Sequence, residues 1–379
     1  MRIFEKLNID FLSKRKTAYI ISGVLILAGI ISLAVRGLEL GIDFKGGTEV
    51  ALKFEKPIDI SAARDKINTL GLGNVEVKTF GGDEGILVRT ELQEIPANVY
   101  SQVVAATGRE INKYYPDIDL IIVDSAINYV TYDFQSAEIA NDLSDRLFEE
   151  GLQTSKVSEE PENTQLIVRI GIADWIEENL KEEYSDNPFV VQKSSRVGPK
   201  IGNELKTDAI IAVVLALIGI LVYLGFRFKF VFAVGAVAAL FHDVLITLGV
   251  FSLFYGLIPG LNLEISIYVV SSFLTLVGYS INDTVVVFDR VRENLKIHKT
   301  AKLEDNINSA INKTMPRTII TSATTLFVVT VLLFAGGEVL RGFAFTLFLG
   351  IIVGTYSSVF VASPFVLEYV KKSKKKLEF

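Results

Sequence analysis

Cysteine is absent from the chain, so disulfides, thiolate nucleophiles and cysteine metal ligands are excluded. Imidazoles are scarce as well, His242 and His298 being the only two. The sequence contains no His-Glu-x-x-His and no Gly-x-x-x-x-Gly-Lys-Ser/Thr loop, which argues against zinc chemistry and ATP hydrolysis. The chain is read as a non-enzyme without a cofactor. Its net charge of −6 comes with no concentrated basic surface outside short loops, which argues against a nucleic-acid partner. With no disulfides available, any exported domain must fold on its hydrophobic core alone.

Apolar sequence is abundant. Half of the residues are hydrophobic and the mean hydropathy is +0.40, yet 22% are charged, so the two populations must be segregated. Six stretches are long and apolar enough to cross a bilayer in contact with its lipid: 18–35, 209–226, 230–254, 265–288, 319–335 and 343–367. The expected fold is a polytopic α-helical membrane protein with a polar domain. Lys14, Arg15 and Lys16 precede the first stretch, and no small-residue cleavage pattern follows it, so it reads as an uncleaved anchor. Arg227, Lys229, the stretch from Arg290 to Arg317 and the tail from Lys371 to Lys376 gather positive charge in alternate connections, with Arg341 the exception. That asymmetry places residues 1–17 and 369–379 in the cytoplasm, residues 36–206 outside, and residues 207–368 as a five-helix bundle in the cell (inner, cytoplasmic) membrane.

Between the first two spans the pattern from Thr48 alternates as in a strand, then turns helical over 60–70. Strand-like segments follow at 74–80 and 85–92, then a helical one at 97–114 and a strand at 119–124. This βαββαβ order predicts a ferredoxin-like α+β domain. A second set follows: helical 136–150, the Leu166-to-Ile172 segment echoing Ile86-to-Leu92, helical 174–184 and strand-like 189–192. Repeats at about 48–125 and 126–195 would account for it; so would chance, since the pattern is common and the matches are short. Open strand edges on such units offer a docking mode for polypeptide.

The chemistry-bearing residues lie in the spans. Asp283 and its neighbour Asn282 interrupt an apolar run, and a carboxylate near hydrocarbon marks an ion or proton pathway unless it is merely structural. Ser272, Thr275, Tyr279, Asn282 and Asp283 recur at steps of three and four, which predicts one polar face turned into the bundle. Arg317 heads the fifth span, followed by Thr318, Thr321, Ser322 and Thr325 at the same spacing, and is a candidate partner for Asp283. Making or breaking that pair would release or load a proton. A blander role for Asp283 is to anchor Arg290 or Arg292 at headgroup level. His242-Asp243, inside the third span, is a second candidate, as relay or as buried polar support. Asp243 and Asp283 could nominally serve an intramembrane aspartyl protease, but the surrounding motifs do not look like one. Gly342, Thr346, Gly350, Gly354 and Ser358 recur every fourth residue, a helix-packing pattern centred on Gly350 and Gly354.

Gly41-to-Thr48, Arg196-to-Leu205 and Gly278-to-Asn294 together resemble the SecF family of protein-export membrane proteins, part of the SecD/SecF group within the resistance-nodulation-division superfamily. Met315-to-Ser322 and Gly350-to-Ser358 extend the likeness. The resemblance implies a chain that works with SecD beside the SecYEG translocon, in the proton-motive-force-dependent late stage of export of a translocating polypeptide across membrane lipid. It makes Asp283 the proton-relay carboxylate and Arg317 its basic partner. It also makes Gly46, Gly47, Gly198 and Pro199 hinge candidates where the outer domain joins the spans, although simple turn chemistry would explain them equally. The coupling ion expected from the family is H⁺; hydroxyl, amide and carboxylate oxygens on spans four and five could also hold Na⁺. Two other functions remain open: an assembly scaffold for the translocase in which Asp283 and Arg317 are a structural pair, and a small-molecule or lipid exporter of the same superfamily.

Overall fold

A computed structural model describes residues 8–126, 128–149, 152–158, 160–228, 230–258 and 261–373 of the chain. Lys229 of the basic loop, Gly151 at the helix end of the second repeat and Lys374 to Lys376 of the tail lie outside the described residues. The chain forms two units, one of residues 42–203 and the other of the segments that flank it. The first apolar stretch is helix α1 (Arg15–Arg36).

The α+β unit runs α2 (Ile42–Lys45), β1 (Gly47–Phe54), α3 (Ile60–Asn68), β2 (Val75–Thr79), β3 (Gly85–Thr90), α4 (Tyr100–Tyr114) and β4 (Ile121–Ala126). It continues with β5 (Tyr129–Asp133), α5 (Ala137–Glu149), β6 (Gln153–Lys156), β7 (Gln165–Arg169), α6 (Ile172–Glu183) and β8 (Phe189–Val197). Short-range capping sets the helix starts. The Asp59 carboxylate accepts the Ser61 and Ala62 amides at the head of α3, and Asp174 reaches back to the Gly171 amide at 2.7 Å at the head of α6. Strand alternation sets the faces: Val50, Leu52 and Phe54 of β1 enter the main core, while Ala51 packs with Phe80 and Leu87 on the opposite face.

All strand pairs are antiparallel, and the two sheets run β2-β3-β1-β8 and β6-β7-β5-β4. Each is the last-first-third-second order of a βαββαβ sheet, with the last strand exchanged between the halves. The preceding helices go with their strands. Trp175 of α6 donates its indole N–H to Leu70 at the end of α3, at 3.3 Å. Tyr100 of α4 donates to Tyr129 of β5 at 3.4 Å, and Tyr115 just beyond α4 donates to Asp142 of α5 at 2.8 Å. One hydrophobic core from Val50 to Leu180 spans both halves, so neither half closes by itself.

The second unit holds α7 (Pro199–Arg227), which starts within the first unit, α8 (Phe230–Phe254), α9 (Ile267–Ile297) and α10 (Leu303–Ala335). After them come α11 (Glu338–Ser357), a π-helical turn over Ser358–Ala362, and α12 (Ser363–Ser373). Among the described residues, six helical stretches are long and apolar enough to cross a membrane, and they outrun the apolar runs because polar ends continue the helices, as in Arg290–Ile297 of α9. Small residues set the closest approaches, as expected where helices pack without a hydrophobic drive between them. A Cβ on Gly29 of α1 would sit 2.9 Å from the Gly249 Cα of α8. One on Gly350 would strike Leu276 of α9, and one on Gly354 would sit 3.0 Å from Ser280.

Candidate functional site

Asp283 occupies the inner face of α9 and is only 5% exposed. It makes no ion pair among the described residues; its nearest donor is the Ser322 hydroxyl of α10, 3.4 Å from Oδ2. Ser322 in turn lies 2.8 Å from the Thr355 hydroxyl of α11, so three helices converge on the carboxylate through hydroxyls. One turn before Ser322, the Thr318 hydroxyl beside Asp283 is buried outside hydrogen-bond geometry, a spare donor or acceptor at the site.

The expected Asp283–Arg317 pair is not formed. Successive helical residues point about 100° apart, so with Thr318 turned inward Arg317 is exposed on the outer face of α10. Arg290 pairs with Glu293 instead of with Asp283, which removes the headgroup-anchor role through that arginine. The single polar face expected on α9 divides in two. Ser272 and Asp283 point inward, Tyr279 is half-buried, and Thr275 and Asn282 are exposed. Tyr279 donates to Thr325 of α10 at 3.3 Å, and Thr275 and Thr321 bond back to carbonyls of their own helices. Neither the Asn282 nor the Arg317 side chain makes a hydrogen bond or close ion pair among the described residues, although the Arg317 charge acts on Asp283 from a distance. An amide and a guanidinium left bare on helices of this length would be expensive against lipid.

His242 and Asp243 of α8 form a separate buried cluster. Asp243 is 0% exposed; its Oδ1 lies 2.9 Å from His242 Nδ1, and its Oδ2 accepts Ser280 of α9 at 2.6 Å and Ser357 of α11 at 2.8 Å. His242 Nε2 lies 2.9 Å from Ser22 of α1, which is 3.1 Å from the Tyr356 hydroxyl; that hydroxyl donates to the Ala18 carbonyl at 2.8 Å. Ser22, Ser280, Tyr356 and Ser357 had no sequence role, although Thr355-Tyr-Ser-Ser358 is a run of hydroxyls inside an apolar helix and Ser280 lies one turn from Asp283.

The hinge candidates lie together in the α+β unit. Gly46 and Gly47 have φ of +78° and +117°, a conformation glycine adopts freely. A Cβ on Gly46 would sit 3.1 Å from the Pro199 Cα, and Gly202 approaches the Phe44 carbonyl in the same way. Gly198 precedes Pro199, which opens α7, a position where the missing amide costs nothing.

Residues 176–372 match the family described as "Protein export membrane protein SecD/SecF, C-terminal", and residues 31–58 match the "SecD/SecF GG Motif". The protein translocase subunit SecF of Rhodothermus marinus is 41% identical over 97% of this chain and 95% of its own length. That of Calditerrivibrio nitroreducens is 37% identical over 97% and 96%. The crystal structure of SecDF from Thermus thermophilus, a translocon-associated membrane protein, superposes with a TM-score of 0.66 at 26% identity. The match covers 98% of this chain and 40% of that one.

Proposed function

The chain belongs to the SecF family of protein translocase subunits, and we propose that it couples an ion gradient to protein export in partnership with SecD. The observation that carries this reading is a buried carboxylate with hydroxyl partners and no ion pair among the described residues, with Asn282 exposed next to it on α9 and Arg317 exposed on α10. A second membrane bundle laid there would cover both polar groups, and SecD is the partner that the family relationship supplies. SecYEG and the emerging polypeptide complete the assembly.

In this reading the basic loops and both termini face the cytoplasm of a cell whose inner membrane holds the bundle, and the α+β unit lies outside. A proton entering from outside neutralises Asp283 and relaxes its Ser322–Thr355 hydroxyl chain. The helices then shift against SecD, and the α+β unit moves through the Gly46–Gly47 and Gly198–Pro199 connections while engaging polypeptide. One charge crossing 100 mV is worth roughly 2.3 kcal/mol, which biases a two-state movement about fiftyfold. Repeated cycles would rectify the sliding of a chain through the translocon.

Vesicles reconstituted with this chain, SecD and the translocon test the proposal when H⁺ and Na⁺ gradients are imposed separately. Export rising with the H⁺ gradient alone is the expected result. Export rising with Na⁺ alone reassigns the ion, and export indifferent to both overturns the coupling role.

A further inference from the structure

Two buried carboxylates of the bundle, Asp243 and Asp283, are wired to the same two helical turns. Ser280, which donates to Asp243, and Asp283 lie on one turn of α9. Ser357, which also donates to Asp243, and Thr355, which reaches Asp283 through Ser322, lie on one turn of α11. A slide or rotation of α9 against α11 large enough to open the Asp283 site therefore strains the hydroxyls that hold Asp243. Directly after Ser357 the helix widens into the π-turn Ser358–Ala362, where the Ser363 hydroxyl bonds the Ser358 carbonyl five residues back, at 2.9 Å. Such π segments are local departures from the α-helical ladder that recur at functional sites.

We infer that Asp243 is a positioning residue for Asp283: held by His242, Ser280 and Ser357, it keeps α9 and α11 in the register in which Ser322 and Thr355 close on Asp283. Its role rests on Asp283 carrying the coupling ion. Among the described residues, the titratable groups in contact with the His242–Asp243 pair are each other and Tyr356, whose ring lies 6.0 Å from that of His242. From α1 and α9 the pair meets only the Ser22 and Ser280 hydroxyls, and from α11 also Ser357. Removing one hydroxyl from Asp243 loosens the hold that α9 and α11 share on its carboxylate, and with it the register at Asp283.

The test measures the pH profile of proton-gradient-driven export in vesicles holding the full chain, SecD and the translocon, with Asp283→Asn, Asp243→Asn and Ser357→Ala compared at equal amounts of membrane-inserted chain. Asp243→Asn is expected to lower driven export by about twofold to thirtyfold, the span of a network coupling. Ser357→Ala, which leaves the carboxylate in place but removes one of its donors, is expected to displace the pH profile from that of the wild type. Combined with Ser322→Ala, it should be non-additive, since both act on one register. If Asp243→Asn does not accumulate, Ser357→Ala alone decides. A wild-type pH profile for Ser357→Ala, together with additive losses in the pair, overturns the positioning role while leaving the Asp283 reading intact. Gradient-driven export surviving Asp283→Asn overturns that reading, and the positioning role with it.

Discussion

Glu49 shows how much one side chain can carry in a small sheet. It lies on the face of β1 away from the main core and is 3% exposed, accepting Arg89 Nε of β3 at 3.0 Å and Lys193 of β8 at 2.7 Å. Arg89 is itself only 7% exposed, so Glu49→Ala removes the buried carboxylate from its guanidinium and leaves it the more exposed Glu76, 3.5 Å away. The expected cost is about 1.5 to 3 kcal/mol, read as a lowered urea midpoint of the full chain. Removing Glu94, whose contact with Arg196 is 3.7 Å and exposed, should cost below about 1 kcal/mol. The buried triad was invisible in the sequence, where Thr-Glu-Val-Ala-Leu-Lys reads as a strand with its charged side in water. Asp283 was visible because the residues around it are apolar. The geometry of its pairing with Arg317 was not legible, because spacing along α10 places Arg317 near the site without saying which way it points.

At the scale of elements, the exchanged helices α4 and α6 bring Glu110 and Glu178 together. Burial, and then the hydrogen bond and charge of Glu110, push the Glu178 carboxyl from 4.5 up to about 7. The folded chain thus keeps a proton that the unfolded chain releases. Stability from this group is fully present below 4.5 and is lost as pH rises toward about 7. Allowing for the partial exposure of Glu178, the effect is on the order of 1 kcal/mol. Trp175, the only tryptophan, sits buried on α6 and reports the transition by fluorescence. Glu178→Gln should flatten the dependence of the urea midpoint on pH across that window; an unchanged slope would show that the proton sits elsewhere. Packing yields a second outcome at this scale. Gly29→Leu should deplete the membrane-inserted chain because it meets the Gly249 backbone, whereas Gly23→Leu, on the same helix and facing open space, should be tolerated. Helices and most strands were legible from apolar periodicity and capping residues. The strand exchange was not, because alternation fixes which face of a strand is buried but not which sheet it joins, and β4 and β8 fit either.

At the scale of the whole molecule, the chain covers 40% of the solved SecDF polypeptide and nearly all of its SecF relatives. On the proposed reading, a second bundle covers the exposed Asn282 and Arg317. The chain has no native cysteine, so Asn282→Cys gives it a single reactive position. It should cross-link to a cysteine introduced in SecD, while Phe226→Cys on the exposed side of α7 should not. The central claim is that Asp283 carries the charge that couples the gradient to export, and the most direct measurement is gradient-driven export by reconstituted vesicles holding Asp283→Asn. The predicted result is export reduced to its gradient-independent level with the SecD complex still assembled; full gradient-driven export by that variant would contradict the account.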